Sequence, residues 1–395
     1  MPQHFHLEKS VQGARAGELH TAHGKVPTPV FMPVGSQATV RTLTPEEIKG
    51  IGFNMILANT YHLYLRPGIE IIKTLGGLHK FMAWDGAMLT DSGGYQVFSL
   101  APFCKISEEG AAFRSHIDGS EHFLTPELAV QYQEALGADV IMALDVCSAY
   151  DDTREKVQQA MERTHRWAER CFNARGNTGQ ALYAIVQGGV FPDLREQSAK
   201  YLTQLDFPGY AVGGLSVGEP KEIMLNILEQ TTALLPPDKP RYLMGVGAPE
   251  DLVEGVARGI DIFDCALPTR VARNGALFTR QGRINIRRAA YSTADQPIDP
   301  SCDCYTCRTF SAAYVSHLFR SEELLGLRLA SIHNLRFIRN LMEGIRTAIL
   351  NGAFSEFRGD FLRHYTTTNE QKRVDQKGKW LRERKQGGAA AAEGE

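Results

Sequence analysis

No stretch of this 395-residue chain stays apolar for the roughly 18 residues that a membrane span needs. The opening MPQHFHLEKS also lacks the apolar segment of a secretory signal, so the expected location is cytoplasmic. Neither sign of charge dominates: the formal net charge is −2, and no global excess points to a nucleic acid or an anionic surface. Cysteine is scarce, with 7 in the chain. Four of them, Cys104, Cys147, Cys171 and Cys265, are scattered through stretches that read as core or strand ends, which excludes a disulfide framework. The glycine pairs Gly93–Gly94, Gly188–Gly189 and Gly213–Gly214 never adopt the Gly-x-Gly-x-x-Gly spacing of a dinucleotide-binding turn. What remains is a globular chain, 43% hydrophobic, able to bury one large α/β core with a smaller appendage.

From Val26 to Cys265 one theme repeats: a short β-branched apolar run ends in a polar residue or glycine, and an amphipathic stretch follows. Strands are predicted at Val30–Val34, Asn54–Ala58, Ala87–Leu89, Val140–Leu144, Leu182–Val186, Tyr210–Val212, Arg241–Met244 and Ile260–Phe263. Helices are predicted at Pro45–Gly50, Pro126–Ala135, Thr153–Cys171, Pro192–Leu205, Lys221–Leu235 and Pro249–Arg258, several opening on Pro or an acidic residue as first turns prefer. Eight such strands suggest a closed (βα)8 TIM barrel, although a doubly wound open sheet alternates in the same way. The strand ends favour the barrel. Asn59, Asp91, Asp145, Gln187, Gly213–Gly214, Gly245 and Asp264 all fall where an apolar run stops, and a barrel would collect them on its C-terminal face.

After Asp264 the pattern changes. Between Cys265 and Ala294 there is no acidic residue, while Arg270, Arg273, Arg280, Arg283, Arg287 and Arg288 supply a local phosphate-binding surface on a neutral protein. Cys302, Cys304 and Cys307 then cluster, and with His333 in the helix-like stretch Ser331–Arg339 they make up a tetrahedral Zn2+ site. Three thiolates and an imidazole leave no position open for substrate, so the metal is expected to hold structure. Further helices are predicted at Thr309–Leu318 and Leu335–Asn351. The resulting division is a catalytic barrel over 1–268, a zinc-binding subdomain over 269–365 and a basic, flexible tail over 366–395.

Two carboxylates stand out as chemistry. Asp91 in LTDSGGYQVFSL and Asp264 in GIDIFDCALPTR could divide the work of nucleophile and proton carrier at an anomeric carbon, with helix capping as the bland alternative for either. Asp261 competes with Asp264 for the nucleophile's role. Asp145 and Gln187 suit the edge of a planar heterocycle, and Gly213, Gly214 and Leu215 would offer it backbone groups. Tyr95 and Met244 could sandwich a flat base, or simply pack in the core.

The stretches FMPVGSQATVRTLTPEEI, LANTYHLYLRPG, LTDSGGYQVFSL, YAVGGLSVGEP, PRYLMGVGAPEDLVEGVARGIDIFDCALPTRVARNG and CDCYTCRTF together resemble the tRNA-guanine transglycosylases, also called queuine tRNA-ribosyltransferases, across roughly Phe5 to Phe361. The resemblance implies a pentosyltransferase that exchanges guanine at the wobble position of GUN anticodons in tRNA for a 7-deazaguanine, preQ1 in bacterial members. It implies Asp264 as nucleophile at ribose C1′ and Asp91 as general acid/base. It places Asp145, Gln187, Gly214 and Leu215 around the purine, Tyr95 and Met244 on its faces, Glu219 behind the Leu215 peptide, and Arg270 and Arg273 on the anticodon. Asn59 and Ser92 would be ribose or supporting contacts, and a homodimer is implied. Cys147, flanked by Val146 and Ser148, departs from many relatives at the edge of the base pocket. Relatives that use queuine tend to have glycine where this chain has Val217, so the resemblance implies preQ1 as the entering base. The alternatives are an enzyme of this class using queuine, and a non-catalytic tRNA-binding or partner subunit of the same fold.

Overall fold

A computed structural model of the chain describes residues 4–100 and 103–367. The expected tail from residue 368 onward lies outside the described residues. The central sheet is parallel throughout, in the order Ile262–Asp264, Arg241–Leu243, Gly209–Val212, Ala181–Val186, Val140–Met142, Ala87–Asp91, Met55–Asn59. At its two ends lie Val30–Met32 and Val34–Gly35, the halves of one strand broken at Pro33. The first half pairs with Ile262–Asp264 and the second with Met55–Asn59, so the sheet closes into an eight-stranded barrel. Pro33 has no N–H to offer a ladder, but its carbonyl accepts from Leu57 N at 3.0 Å and keeps the seam joined.

These strands are apolar along their whole length because both faces are buried. Met32, Met55, Leu57, Leu89, Met142, Tyr183, Tyr242 and Ile262 fill the interior. The alternating residues Phe31, Ile56, Met88, Ile141, Leu182, Val212 and Phe263 belong to the outer core beneath the helices. The interior is stoppered from below by an antiparallel sheet of Phe5–Val11, Ala14–Thr21 and Gly24–Thr28, whose Phe5, Leu19 and Val26 join the inner cluster.

Helices Pro45–Ile51, Pro126–Leu136, Arg154–Ala174, Pro192–Thr203, Lys221–Ala233 and Pro249–Ala257 lie within a few residues of the predicted ranges. Threonines start three of them: Thr44 makes a reciprocal capping box with Glu47, and Thr125 and Thr153 accept from Leu128 N and Lys156 N. The helix expected at Thr309–Leu318 is two, Tyr305–Thr309 and Ala312–Arg320, because Ser311 caps a fresh start. The helix expected at Leu335–Asn351 is longer, Leu324–Leu350, and packs against Pro45–Ile51 and Pro249–Ala257, where the eighth helix of such a barrel belongs. The hairpin Ala276–Thr279 and Gly282–Asn285 and the sheet Cys104–Ile106, Ala111–Arg114 and Glu121–Leu124 have no counterpart in the sequence reading.

Asp261 occupies the opposite end of the barrel from Asp264. It is fully buried, accepts from Arg15 Nε at 3.1 Å and from Arg241 N at 2.8 Å, and so ties the floor sheet to the barrel. Removing it strands the buried Arg15 guanidinium. Asp261→Ala should therefore lower unfolding free energy by about 3–5 kcal/mol in denaturant titration, with activity per folded molecule retained. Wild-type stability with lost activity would reverse the assignment.

Candidate active site and metal centre

The barrel mouth gathers the polar strand ends. Asn59 and Asp91 are register partners on adjacent strands, and Asn59 Nδ2 donates to Asp91 Oδ2 at 2.5 Å. Gln96 Nε2 donates to the same oxygen at 2.7 Å, and Thr60 N to Oδ1 at 2.8 Å. These bonds favour the carboxylate. Burial and, less strongly, the nearby charge of Asp264 outweigh them, and the Asp91 carboxyl is pushed up to about 6. A group titrating there exchanges protons readily near neutrality.

Asp264 ends its strand at the same mouth. Its Oδ1 accepts from Tyr242 Oη at 2.6 Å and from Gly245 N at 2.8 Å, and Oδ2 has no protein donor among the described residues. Surrounding protein raises its carboxyl above the ordinary range against those two bonds. The Tyr242 phenol is driven far upward by burial and by the Asp264 charge, so it stays a proton donor.

A second group of contacts lies alongside. Gln187 Nε2 donates to Asp145 Oδ2 at 2.7 Å, and Ser92 Oγ reaches Asp145 Oδ1 at 3.5 Å. Burial pushes Asp145 up to about 6 as well. Gly213 and Gly214 must be glycine here: a Cβ on Gly213 would lie 2.7 Å from Gln187 Nε2, and one on Gly214, whose φ is +65°, 2.4 Å from Gln187 Oε1. Leu215 is buried next to them. Glu219, also buried, accepts from the N–H groups of Ser216, of Val217 at 2.9 Å and of Gly218 at 3.0 Å. Fixing the Ser216 N–H also fixes the Leu215 carbonyl, since both belong to one planar peptide.

Tyr95 stands exposed in the first turn of Gly94–Leu100, and Met244 follows its strand to pack on the barrel interior. Cys147 is buried, and desolvation lifts its thiol to about 12, leaving it neutral. Arg270 and Arg273 lie on Leu267–Arg273, which begins three residues after Asp264; Arg270 is exposed and Arg273 partly covered. Burial and then Arg41 and Arg270 disfavour the Arg273 charge, which adds Arg41 to this basic strip.

Sequence reading passed over several members of the site. Tyr242 sits inside an apolar strand and reads as core. Thr60 and Gln96 lie on helices Thr60–Leu65 and Gly94–Leu100, which sequence reading did not mark. The neighbouring glycines and carboxylates were the available signal.

The Cys302, Cys304 and Cys307 Sγ atoms lie 3.7, 3.6 and 3.3 Å from His333 Nδ1. A tetrahedral ion with bonds of about 2.3 Å to sulfur and about 2.0 Å to nitrogen sets such pairs near 3.5 Å, so the four groups can hold one. His333 Nε2 donates to Phe278 O at 2.7 Å, which turns the Nδ1 lone pair toward the thiolates. A second cluster, His23, His79 and Asp139, lies at the barrel floor. Its imidazoles stack at 3.5 Å with planes 11° apart, so their in-plane lone pairs cannot converge on one ion, and His23 Nδ1 instead bonds Asp139 Oδ1 at 2.8 Å.

Taken together, a closed βα barrel with two carboxylates at its mouth, glycines beside them and a Cys3His cluster able to hold a metal fits a barrel enzyme of the glycosyl-transfer class. The chain belongs to the queuine tRNA-ribosyltransferase family, the tRNA-guanine transglycosylases: the family model of that description matches residues 10–367. It is 63% identical over 368 residues to the queuine tRNA-ribosyltransferase of Dehalococcoides mccartyi, covering 93% of this chain and 94% of the relative. It is 62% identical over 353 residues to that of Pelotomaculum thermopropionicum (89% and 95% covered) and 59% over 363 residues to that of Herpetosiphon aurantiacus (92% and 93%). No described helix is long and apolar enough to cross a membrane.

The metal centre makes a prediction of its own. His333 lies on the helix that packs as the barrel's eighth, so stripping the ion with a chelator should lower the melting temperature of the chain in a single transition, and elemental analysis should find one ion per chain. An unchanged melting curve after chelation would show that the cluster holds no structural ion.

Proposed function

We propose that this enzyme exchanges guanine at wobble position 34 of tRNAs with GUN anticodons, those for Asp, Asn, His and Tyr, for preQ1 in queuosine biosynthesis. The observation that carries the proposal is the asymmetric anchoring of Asp264, with Oδ1 held by two donors, Oδ2 left without one, and the proton-poised Asp91 close enough to feel its charge. An electron pair of Asp264 Oδ2 attacks C1′ of nucleotide 34 while the C1′–N9 bond breaks, and its electrons leave with guanine. Asp91 delivers the proton that N9 takes up. After guanine departs, preQ1 enters the same space and gives its N9 proton to Asp91, and N9 attacks C1′ to release Asp264. Two inversions give net retention and ping-pong kinetics.

Asp145, Gln187, Gly214 and Leu215 read the purine edge in this scheme, and Tyr95 and Met244 cover its faces. Glu219 sets the Leu215 carbonyl as an acceptor for the cationic aminomethyl arm of preQ1. The target base must leave its stack to enter, which suits an anticodon loop. Arg270 and Arg273 hold that loop, and a structural Zn2+, one per chain, at Cys302, Cys304, Cys307 and His333 keeps the 269–365 region in shape around them. We place the enzyme in the cytoplasm as a homodimer. The intact carboxylate pair speaks against a non-catalytic subunit of the same fold.

Asp264→Asn tests the central step, because an amide is a poor nucleophile. Exchange of labelled guanine into unmodified GUN tRNA and trapping of a covalent RNA adduct should both vanish, while tRNA binding persists. An Asp264→Asn variant that still exchanged base would defeat the scheme.

The choice of entering base turns on Val217. Its backbone is pinned to Glu219, so its side chain cannot yield room to a bulky ring on the base, and overpacking a fixed pocket is costly. PreQ1 should be used at least about tenfold more efficiently than queuine, with partial recovery of queuine use in Val217→Gly. Equal kcat/KM for the two bases would remove this selectivity and leave the transfer chemistry standing.

A further inference from the structure

Arg195, on helix Pro192–Thr203, is fully buried beside the proposed base pocket and has no part in the chemistry described so far. Its Nη1 donates to Val186 O and to Gly213 O, both at 2.8 Å, and its Nε donates to Gly189 O at 2.8 Å. Val186 ends one barrel strand and Gly213 directly follows its neighbour Gly209–Val212; Val186 and Gly189 flank Gln187 and Gly188; and Gly213 precedes Gly214. One guanidinium thus fastens the backbone on both sides of the residues proposed to read the purine edge. The remaining Nη2 has no hydrogen-bond partner among the described residues, and lies 3.5 Å from where a Cβ on Gly214 would be.

Charge makes the arrangement unusual. Among the described residues no carboxylate lies within ion-pair distance of Arg195, so the hydrogen bonds of this buried cation all go to carbonyl dipoles, and Glu219 favours its charge only from farther away. Burial lowers its pKa to about 10, which still leaves it protonated at neutral pH, and Glu219 and Cys147 are near enough to influence it. An interior cation without a paired anion is costly, and a structural tie between strands would be met as well by neutral groups. A cation behind the pocket becomes useful when negative charge arrives in front of it, as it does when guanine departs with the C1′–N9 electron pair before N9 is protonated.

We infer that Arg195 is a positioning residue for the base: its guanidinium sets the spacing of Gln187 against Gly214 and supplies the positive field into which the purine binds. This rests on the transglycosylase reading above. Arg195→Gln keeps a donor but removes the charge, and Arg195→Lys keeps the charge but loses the planar fork.

The test measures guanine affinity of each folded variant by calorimetry on the free enzyme, alongside KM for guanine and affinity for tRNA. Arg195→Gln should weaken guanine binding and raise its KM by about tenfold or more, Arg195→Lys by less, and neither should alter tRNA affinity. A purely structural role would lower kcat through a smaller active fraction and leave both guanine constants in place; that result overturns the inference. Should Arg195→Gln fail to fold, Arg195→Lys decides by the same readings. Calorimetry needs no transfer step, so an unmodified enzyme that binds guanine without exchanging it would defeat the functional reading alone, and wild-type guanine affinity in the variants would defeat the Arg195 inference alone.

Discussion

Closure of the sheet across the strand broken at Pro33 is the constraint from which the site follows. Asn59, Asp91, Asp145, Gln187, Gly213 and Asp264 span some two hundred positions of sequence and meet only because Val30–Met32 pairs with the last strand and Val34–Gly35 with the second. An open sheet would leave Asp264 and Asn59 at opposite edges. Closure also explains the floor: a barrel whose lower end held only Val30, Met55 and Ala181 would admit water, and Phe5, Leu19 and Val26 fill that end.

The mouth is held together by a different balance. Asp91, Asp145 and Asp264 are each lifted by desolvation and each restrained by donors, from Asn59, Thr60 and Gln96, from Gln187 and Ser92, and from Tyr242 and Gly245 respectively. Because the donors only partly offset burial, each carboxyl sits above the ordinary carboxylate range and is less stable as an anion than it would be in water. Such poise costs folding free energy, which the extensive barrel core can supply.

Much of this was legible in the sequence because parallel strands covered on both faces read as unbroken apolar runs, and a polar residue at the end of each run marks the mouth. The floor strands were not legible: FHLEKSV alternates with charges, and only three-dimensional closure shows what its apolar side covers. The buried polar groups at and behind the mouth were hidden for a related reason. Tyr242 is indistinguishable from core in PRYLMG, and Arg195 in PDLREQSAKYLT looks like a solvated helix charge, since a one-dimensional pattern records polarity and not the partner that a buried polar group finds. The Cys3His cluster needed less, because three of its members are local and His333 is the one histidine of the long apolar-striped helix Leu324–Leu350.

Helix Leu324–Leu350 carries two obligations. His333 serves the metal cluster, while the adjacent Asn334, fully buried, accepts from Phe278 N at 2.9 Å and donates to Pro268 O and Ala276 O, each at 3.0 Å. Pro268 follows Asp264 by four residues, and the same helix serves as a stave of the barrel. The region that carries the Cys3His cluster is therefore no cassette. Cutting it out or grafting it onto another barrel would remove the stave and unseat the turn behind the proposed nucleophile, so this appendage and the catalytic wall must be inherited, engineered and exchanged together.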